Sequence, residues 1–267
     1  MLHPKIVRRA ASLALGLAVA TSITTSAHAV TYPWDKINFD LAAEGNYSET
    51  NISANIDSIV IHTVEGSYNG CISWFNNPNQ GYYDSKGNWV DINVSAHYVM
   101  SQDGTGTQMV SSWKTAHHAT YYNSRSIGFE MAGYAGQAST WFYQPSDSEF
   151  GTTYKNYKPN LDTLANVCAY FVETYDIPVV HPEVNAYDFY NNRLNVSGFV
   201  AHSQVQPWNK GDPGPHFPWD DFMLMVQSYV DHDKNIYWPE VIEVPEPTTA
   251  SMIGIAGLAL IARRRRK

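Results

Sequence analysis

Residues 58–63 read Ser-Ile-Val-Ile-His-Thr, an apolar, β-branched run without alternation. A strand of that kind is stable only where both faces of its sheet are covered. Two more segments have the same character: Val94-Ser95-Ala96-His97-Tyr98-Val99-Met100 and Ser126-Ile127-Gly128-Phe129-Glu130-Met131. Asp103-Gly104 signals a turn, so residues 106–110 are expected to return as the hairpin partner of 94–100, with 197–202 as a fifth strand. From Asn160, a residue suited to an N-cap, Leu161, Leu164, Cys168, Phe171, Val172 and Tyr175 recur at helical steps. Phe222, Met225, Val226 and Tyr229 repeat the pattern after Pro218. Strands interleaved with helices, with one hairpin among them, predict an α/β fold: a mixed β-sheet flanked by helices in a single domain. Residues 134–159, rich in Tyr, Ser, Gly and Trp, read as a long surface loop.

The two ends have a different character. Lys5, Arg8 and Arg9 precede an apolar run from Ala10 to Ala20, and Ala27-His28-Ala29 offers a small-x-small cleavage site. Residues 1–29 therefore read as a secretory signal peptide, a retained N-terminal anchor being the alternative. At the other end, Val244-Pro245-Glu246-Pro247 leads into an apolar run from Ala250 to Ala262 and then Arg263, Arg264, Arg265, Arg266 and Lys267. This tail, residues 243–267, resembles the PEP-CTERM sorting signal. The resemblance implies handling by an exosortase-type sorting enzyme; a plain membrane anchor is the other reading, and either leaves the domain outside the cytoplasm. The expected product is exported to the periplasm, outer surface or medium.

The remaining residues, 30–242, are long enough for one sizeable core. Of 17 basic residues three lie in the leader and five in the tail, while only Glu243 and Glu246 of 25 acidic residues fall outside, so this domain carries a net charge of about −14. That balance excludes nucleic acid as a partner, because such binding depends on neutralising phosphates. The two cysteines, Cys71 and Cys168, are compatible with one disulfide of an exported protein or with two separate buried thiols.

Eight histidines lie in the domain, and no His-Glu-x-x-His helix is among them. His62 and His202 each stand at the end of an apolar strand, and Asp212 follows ten residues after His202 in Asp212-Pro213-Gly214-Pro215. A catalytic zinc takes three such ligands and leaves a fourth place open. Taken singly, these residues read as readily as core histidines and turn chemistry.

Five segments in order add a constraint. Ile61-His62-Thr63, Val94 to Val99, Ala116-His117-His118-Ala119, Ser126 to Gly133, and Ala201-His202-Ser203 through Lys210-Gly211-Asp212-Pro213-Gly214-Pro215 together resemble the type 2 N-acetylmuramoyl-L-alanine amidases, the family of the phage lysozyme-like amidases and peptidoglycan recognition proteins. The resemblance runs from about Ser58 to Trp219. It implies one Zn2+ per chain held by His62, His202 and Asp212, which acidifies water towards pKa ~7. It implies Glu130 as general base and Lys210 as the cation facing the oxyanion. His118 is expected to line the substrate cleft, with Tyr122 among the aromatic residues that hold substrate; His117 stands where relatives carry tryptophan, and Ala201 where many carry glycine. His97 is expected to be structural and His216 to support the metal site. Tyr121, Tyr122, Tyr134, Trp141, Phe142 and Tyr143 crowd the segments around Glu130, either as a substrate surface or as packing under a loop. The implied activity is hydrolysis of the amide between N-acetylmuramic acid and L-alanine in peptidoglycan or muropeptides. A non-catalytic recognition module, a hydrolase of soluble fragments and a structural surface protein are the alternatives.

Overall fold

The structure, a computed structural model, describes residues 33–143, 157–187 and 192–233. The expected leader and sorting tail, and residues 144–156 of the loop predicted over 134–159, lie outside the described residues. Among those residues no helix is long and apolar enough to cross a membrane.

In chain order the strands are β1 (Ile37–Phe39), β2 (Tyr47–Asn51), β3 (Ser58–Thr63), β4 (Gly81–Tyr83), β5 (Trp89–Asp91), β6 (Tyr98–Met100), β7 (Gly106–Gln108), β8 (Lys114–Ala116), β9 (Ser126–Met131) and β10 (Gly198–Ala201). The helices are α1 (Tyr68–Phe75), α2 (Pro159–Tyr175), α3 (His202–Val205) and α4 (Trp219–Asp233). Six strands form the central sheet in the order β1-β7-β6-β9-β3-β10. Only β6 and β7 pair antiparallel, so the sheet is mixed and mostly parallel, as the sequence predicts. The expected strand at 94–100 shortens to Tyr98–Met100. There His97 turns its own ring onto the backbone: Nδ1 accepts from the Gly128 amide (3.0 Å) and Nε2 faces Lys114 O (3.0 Å).

The pleat sorts the side chains. Ile59, Ile61, Ile127, Phe129 and Phe199 face α2 and α4, whose Leu164, Cys168, Phe171, Phe222 and Val226 complete the main core. Burying a side chain of this size contributes about 1.5–3 kcal/mol, so this layer sets the rigidity of everything carried on the opposite face. Helix α2 begins at Pro159, whose missing N–H costs nothing in the first turn. Asn160 is therefore not the cap: it is buried inside that turn and its Nδ2 donates to Thr140 O (3.3 Å).

The other face is covered in two patches. Val99, Met109, Ala116 and α1 residues Cys71 and Phe75 pack beside β6, while Val60, Val200, Tyr122, Leu194 and Val205 pack beside β3 and β10. His62 and Glu130 stand on this face, toward the carboxyl ends of β3 and β9, where open α/β sheets leave a crevice. Cys71 and Cys168 are both free and buried on opposite sides of the sheet, so the bridged alternative is excluded.

Candidate functional site

Strand register assembles the site. His62 and Glu130 are direct partners in the parallel β3–β9 ladder, and side chains at matching register point the same way. Ala201, the last residue of β10, pairs with Ile61 of β3, so His202 follows level with His62 and opens α3. The Ser203 amide then donates to Asp212 O (2.9 Å), which returns the Asp212 loop to the start of that helix.

His62 Nδ1, His202 Nδ1 and Asp212 Oδ2 converge, all within 4.8 Å of one another. The two Nδ1 atoms are 2.9 Å apart, and Oδ2 lies 3.3 Å from His62 Nδ1 and 3.0 Å from His202 Nδ1. Both imidazoles are buried.

The hydrogen bonds behind the rings determine which nitrogens carry protons. Ser126 Oγ donates to Tyr122 O (2.7 Å), so the same oxygen accepts from His118 Nε2 (3.2 Å). His118 Nδ1 is then bare and accepts from His62 Nε2 (3.0 Å), which leaves His62 Nδ1 bare as well. On the other side, His202 Nε2 donates to Gln206 Oε1 (2.9 Å), leaving its Nδ1 bare. Two lone pairs and a carboxylate oxygen thus face one point, an arrangement that repels itself unless a cation or a proton enters. This donor set fits a divalent metal with an open position.

The electrostatics agree. Burial first, and then the neighbouring His202, push the His62 imidazole down to about 4, against the pull of Asp212. Burial works to raise the Asp212 carboxyl, but the His202 and His62 imidazoles packed against it outweigh that and hold the group well below the ordinary carboxylate range. A proton on either Nδ1 and a metal ion compete for the same place. Glu130 is different: burial and the Asp212 charge push its carboxyl up to about 8, with Lys210 opposing. Its Oε1 is 4.0 Å from His62 Nδ1, and its buried Oε2 has no hydrogen-bond partner among the described residues.

These groups open onto a cleft of about 640 Å3 walled by Glu65, Ser67, Trp74 and Val94 on one side and by Asn209, Lys210 and Asp212 on the other. Lys210 is exposed at its rim.

The sequence profile of the N-acetylmuramoyl-L-alanine amidase family (Amidase_2) matches residues 52–215, a span that includes all of these groups. The chain belongs to this family. N-acetylmuramoyl-L-alanine amidase A of Achromobacter lyticus is 29% identical over 188 residues, covering 70% of this chain and 91% of that protein. Among solved structures, the Staphylococcus aureus hydrolase AmiA in complex with its ligand gives a TM-score of 0.49 at 14% identity, over 76% of this chain and 88% of that one. A selenomethionine AmpD derivative gives 0.48 at 21% identity, over 72% and 94%. The Clostridium intestinale URNW endolysine amidase LysCS gives 0.44 at 16%, over 72% and 95%.

Within this family member, neither expected substrate contact is among the residues that wall this cleft. Tyr122 is fully buried; its hydroxyl donates to Val196 O (2.9 Å) and accepts from the Val196 amide (3.1 Å). Tyr121 does the same for Val205 O and the Leu194 amide, so the pair are struts that pin residues 194–196. His118 does not wall the cleft but stands behind His62. Its ring occupies the space over Gly128, where a Cβ would sit 2.6 Å from Nδ1. The glycine of the Ser-Ile-Gly-Phe-Glu strand is thereby explained: any larger residue displaces His118. Of the other loop aromatics, Trp141 is buried against Phe217, while Tyr134 and Tyr143 are exposed. His216 is exposed too, and the expected support for the metal site comes instead from His118 and Gln206. Gln206 was findable by spacing, since it falls one helical turn after His202.

Proposed function

We propose that this chain is a zinc-dependent N-acetylmuramoyl-L-alanine amidase that cleaves the amide joining N-acetylmuramic acid to L-alanine in peptidoglycan. The observation that carries this reading is the convergence of His62, His202 and Asp212 within 4.8 Å beside Glu130, whose buried Oε2 has no hydrogen-bond partner among the described residues. His62, His202 and Asp212 would hold the ion through Nδ1, Nδ1 and Oδ2. Bound there, zinc supplies Lewis acidity toward a carbonyl oxygen and toward water.

The protein's own groups do the remaining work. Glu130 accepts a proton from the attacking water and delivers it to the alanine nitrogen as the amide breaks, a role suited to a carboxyl whose proton affinity is raised toward neutrality. Lys210, at the cleft rim, offers a fixed positive charge to the oxyanion. His118 and Gln206 hold the two imidazoles in one tautomer.

The leader at residues 1–29 and the Pro-Glu-Pro tail from residue 243 support export, with an exosortase-type enzyme as partner at the C-terminus. An exported enzyme would stand on the side of the cytoplasmic membrane where peptidoglycan lies.

The test compares the full-length chain with Asp212→Ala for bound metal and for release of stem peptides from purified peptidoglycan, identified by mass. About one zinc per chain and alanine-terminated peptides from the unsubstituted protein only are the expected results. Metal without cleavage would leave a recognition module; neither metal nor cleavage would sink the enzyme reading.

A further inference from the structure

Residues 80–94 form an outgrowth rooted in the cleft wall. Gln80 is buried; its Nε2 donates to Trp74 O (2.8 Å) and Val94 O (2.9 Å), and its Oε1 accepts from the Val94 amide. Trp74 and Val94 both line the cleft, so the β4–β5 hairpin leaves and returns at its edge. Its turn is closed by Asp84, which accepts from the amides of Lys86 and Asn88 (2.8 Å each).

Two-stranded hairpins are marginal in water unless they bury an apolar face. In this one Val90 is only half-buried, and Tyr82, Tyr83 and Trp89 are exposed to 54%, 71% and 45%. Trp89 is nonetheless fixed. Its indole lies across Gly81, where a Cβ would come within 2.5 Å of Cζ2 and 2.6 Å of Cε2. Its Nε1 donates to Asp91 Oδ1 (2.6 Å), and the Tyr83 ring meets it edge-on at 5.1 Å. A glycine beneath, a carboxylate at one end and a tyrosine beside it hold the indole in one orientation, with a hydrogen-bond acceptor at its border.

A flat apolar plate bordered by a carboxylate matches a pyranose ring, which has an apolar C–H face and a rim of hydroxyl donors. We propose that Trp89, Tyr83 and Asp91 bind the glycan strand of peptidoglycan, extending the cleft along the polymer. The identity of that polymer rests on the amidase reading above. The consequence is a preference for wall-length glycan over free muropeptide.

The probe is a peptide-free β-1,4-linked N-acetylglucosamine hexamer, titrated calorimetrically into the full-length protein. Trp89→Ala is expected to weaken hexamer binding by about tenfold, the effect of losing one aromatic stacking partner. Trp89→Phe, which keeps a flat ring, restores most of it and controls for folding. Tyr82→Ala, on the opposite face of the strand, leaves it unchanged. In parallel, Trp89→Ala lowers stem-peptide release from intact peptidoglycan by about tenfold and leaves cleavage of soluble muropeptides within about twofold. Unchanged hexamer binding, equal loss on both substrates, or a dimer that Trp89→Ala dissociates would each overturn the proposal. If the unsubstituted protein cleaves neither substrate the amidase reading fails, while the hexamer titration still decides the glycan site.

Discussion

His62 Nε2 lies 3.0 Å from His118 Nδ1, and the chain of hydrogen bonds continues through Ser126 to a backbone carbonyl that can only accept. The direction of every proton along it is therefore fixed from the far end. Removing His118 frees the His62 ring to rotate and to change tautomer. His118→Ala is expected to weaken zinc binding by about 10–100-fold, the usual cost of losing such an outer partner, as read by competition with a chromophoric chelator. Gly128→Ala, which displaces the same ring from in front, should act in the same direction. Unaltered zinc affinity in both variants would mean that the chain does not orient the ligand.

Glu130 and Lys210 separate the metal's contribution from the protein's. Glu130→Gln keeps the shape of the side chain but cannot accept a proton, and is expected to lower kcat by about 10²–10⁴. Lys210→Met removes the rim charge and should cost about 10²-fold in kcat. Neither residue belongs to the converging donor set, so both variants should retain full zinc content by elemental analysis. A loss of zinc in Glu130→Gln would move that carboxylate from the chemistry to the metal.

The core of this protein was legible from sequence because β3 and β9 advertise themselves. Runs such as Ile59-Val60-Ile61 and Ile127-Gly128-Phe129 belong to doubly covered strands; the candidate ligand set was legible only through the family resemblance, since His202 follows β10 and Asp212 lies outside the strands. The short strands were not legible: β1 and the β4–β5 hairpin have three residues per strand and no alternation of their own. Tyr122 was misread because its motif neighbours flank the site while its own ring turns inward to Val196. For His118, sequence places the ring near His62 but cannot say on which side of it the ring stands. Burial decided Tyr122 and the position of the ring behind His62 decided His118; both are properties of packing at long range.

Cys71 and Cys168 sit on opposite faces of the sheet, and burial pushes both thiols up, with the Glu130 charge adding to the effect at Cys71. Neither is expected to react with a thiol reagent while the protein is folded, and about two equivalents should titrate on unfolding. A reductant should leave Tm unchanged. Rapid labelling of the native protein, or a reductant-dependent Tm, would contradict this placement.

Arg125 joins the start of β9 to Asp57, the residue before β3: its Nε donates to Asp57 Oδ1 (2.8 Å), and a second bond from Nη2 makes the pair bidentate. Ser197, the residue before β10, donates to the same carboxylate (2.9 Å), so one acidic group ties together three neighbouring strand starts. Burial works to raise this carboxyl, but the hydrogen bonds from Arg125, Ser58 and Ser197 together hold it below its ordinary value of 3.8. A carboxyl lowered by folding stabilises the protein fully above its unfolded value, and the contribution is lost as the pH falls through the folded value. The stability gap between the unsubstituted protein and Asp57→Asn should therefore be constant from neutrality down to about pH 4 and close only below that. Its plateau should be about 1–2 kcal/mol, the scale of a partly exposed bidentate pair with an added hydroxyl bond. Denaturant melts at stepped pH measure it, and a gap that closes between pH 5 and 7 would assign the acid sensitivity to the histidines instead.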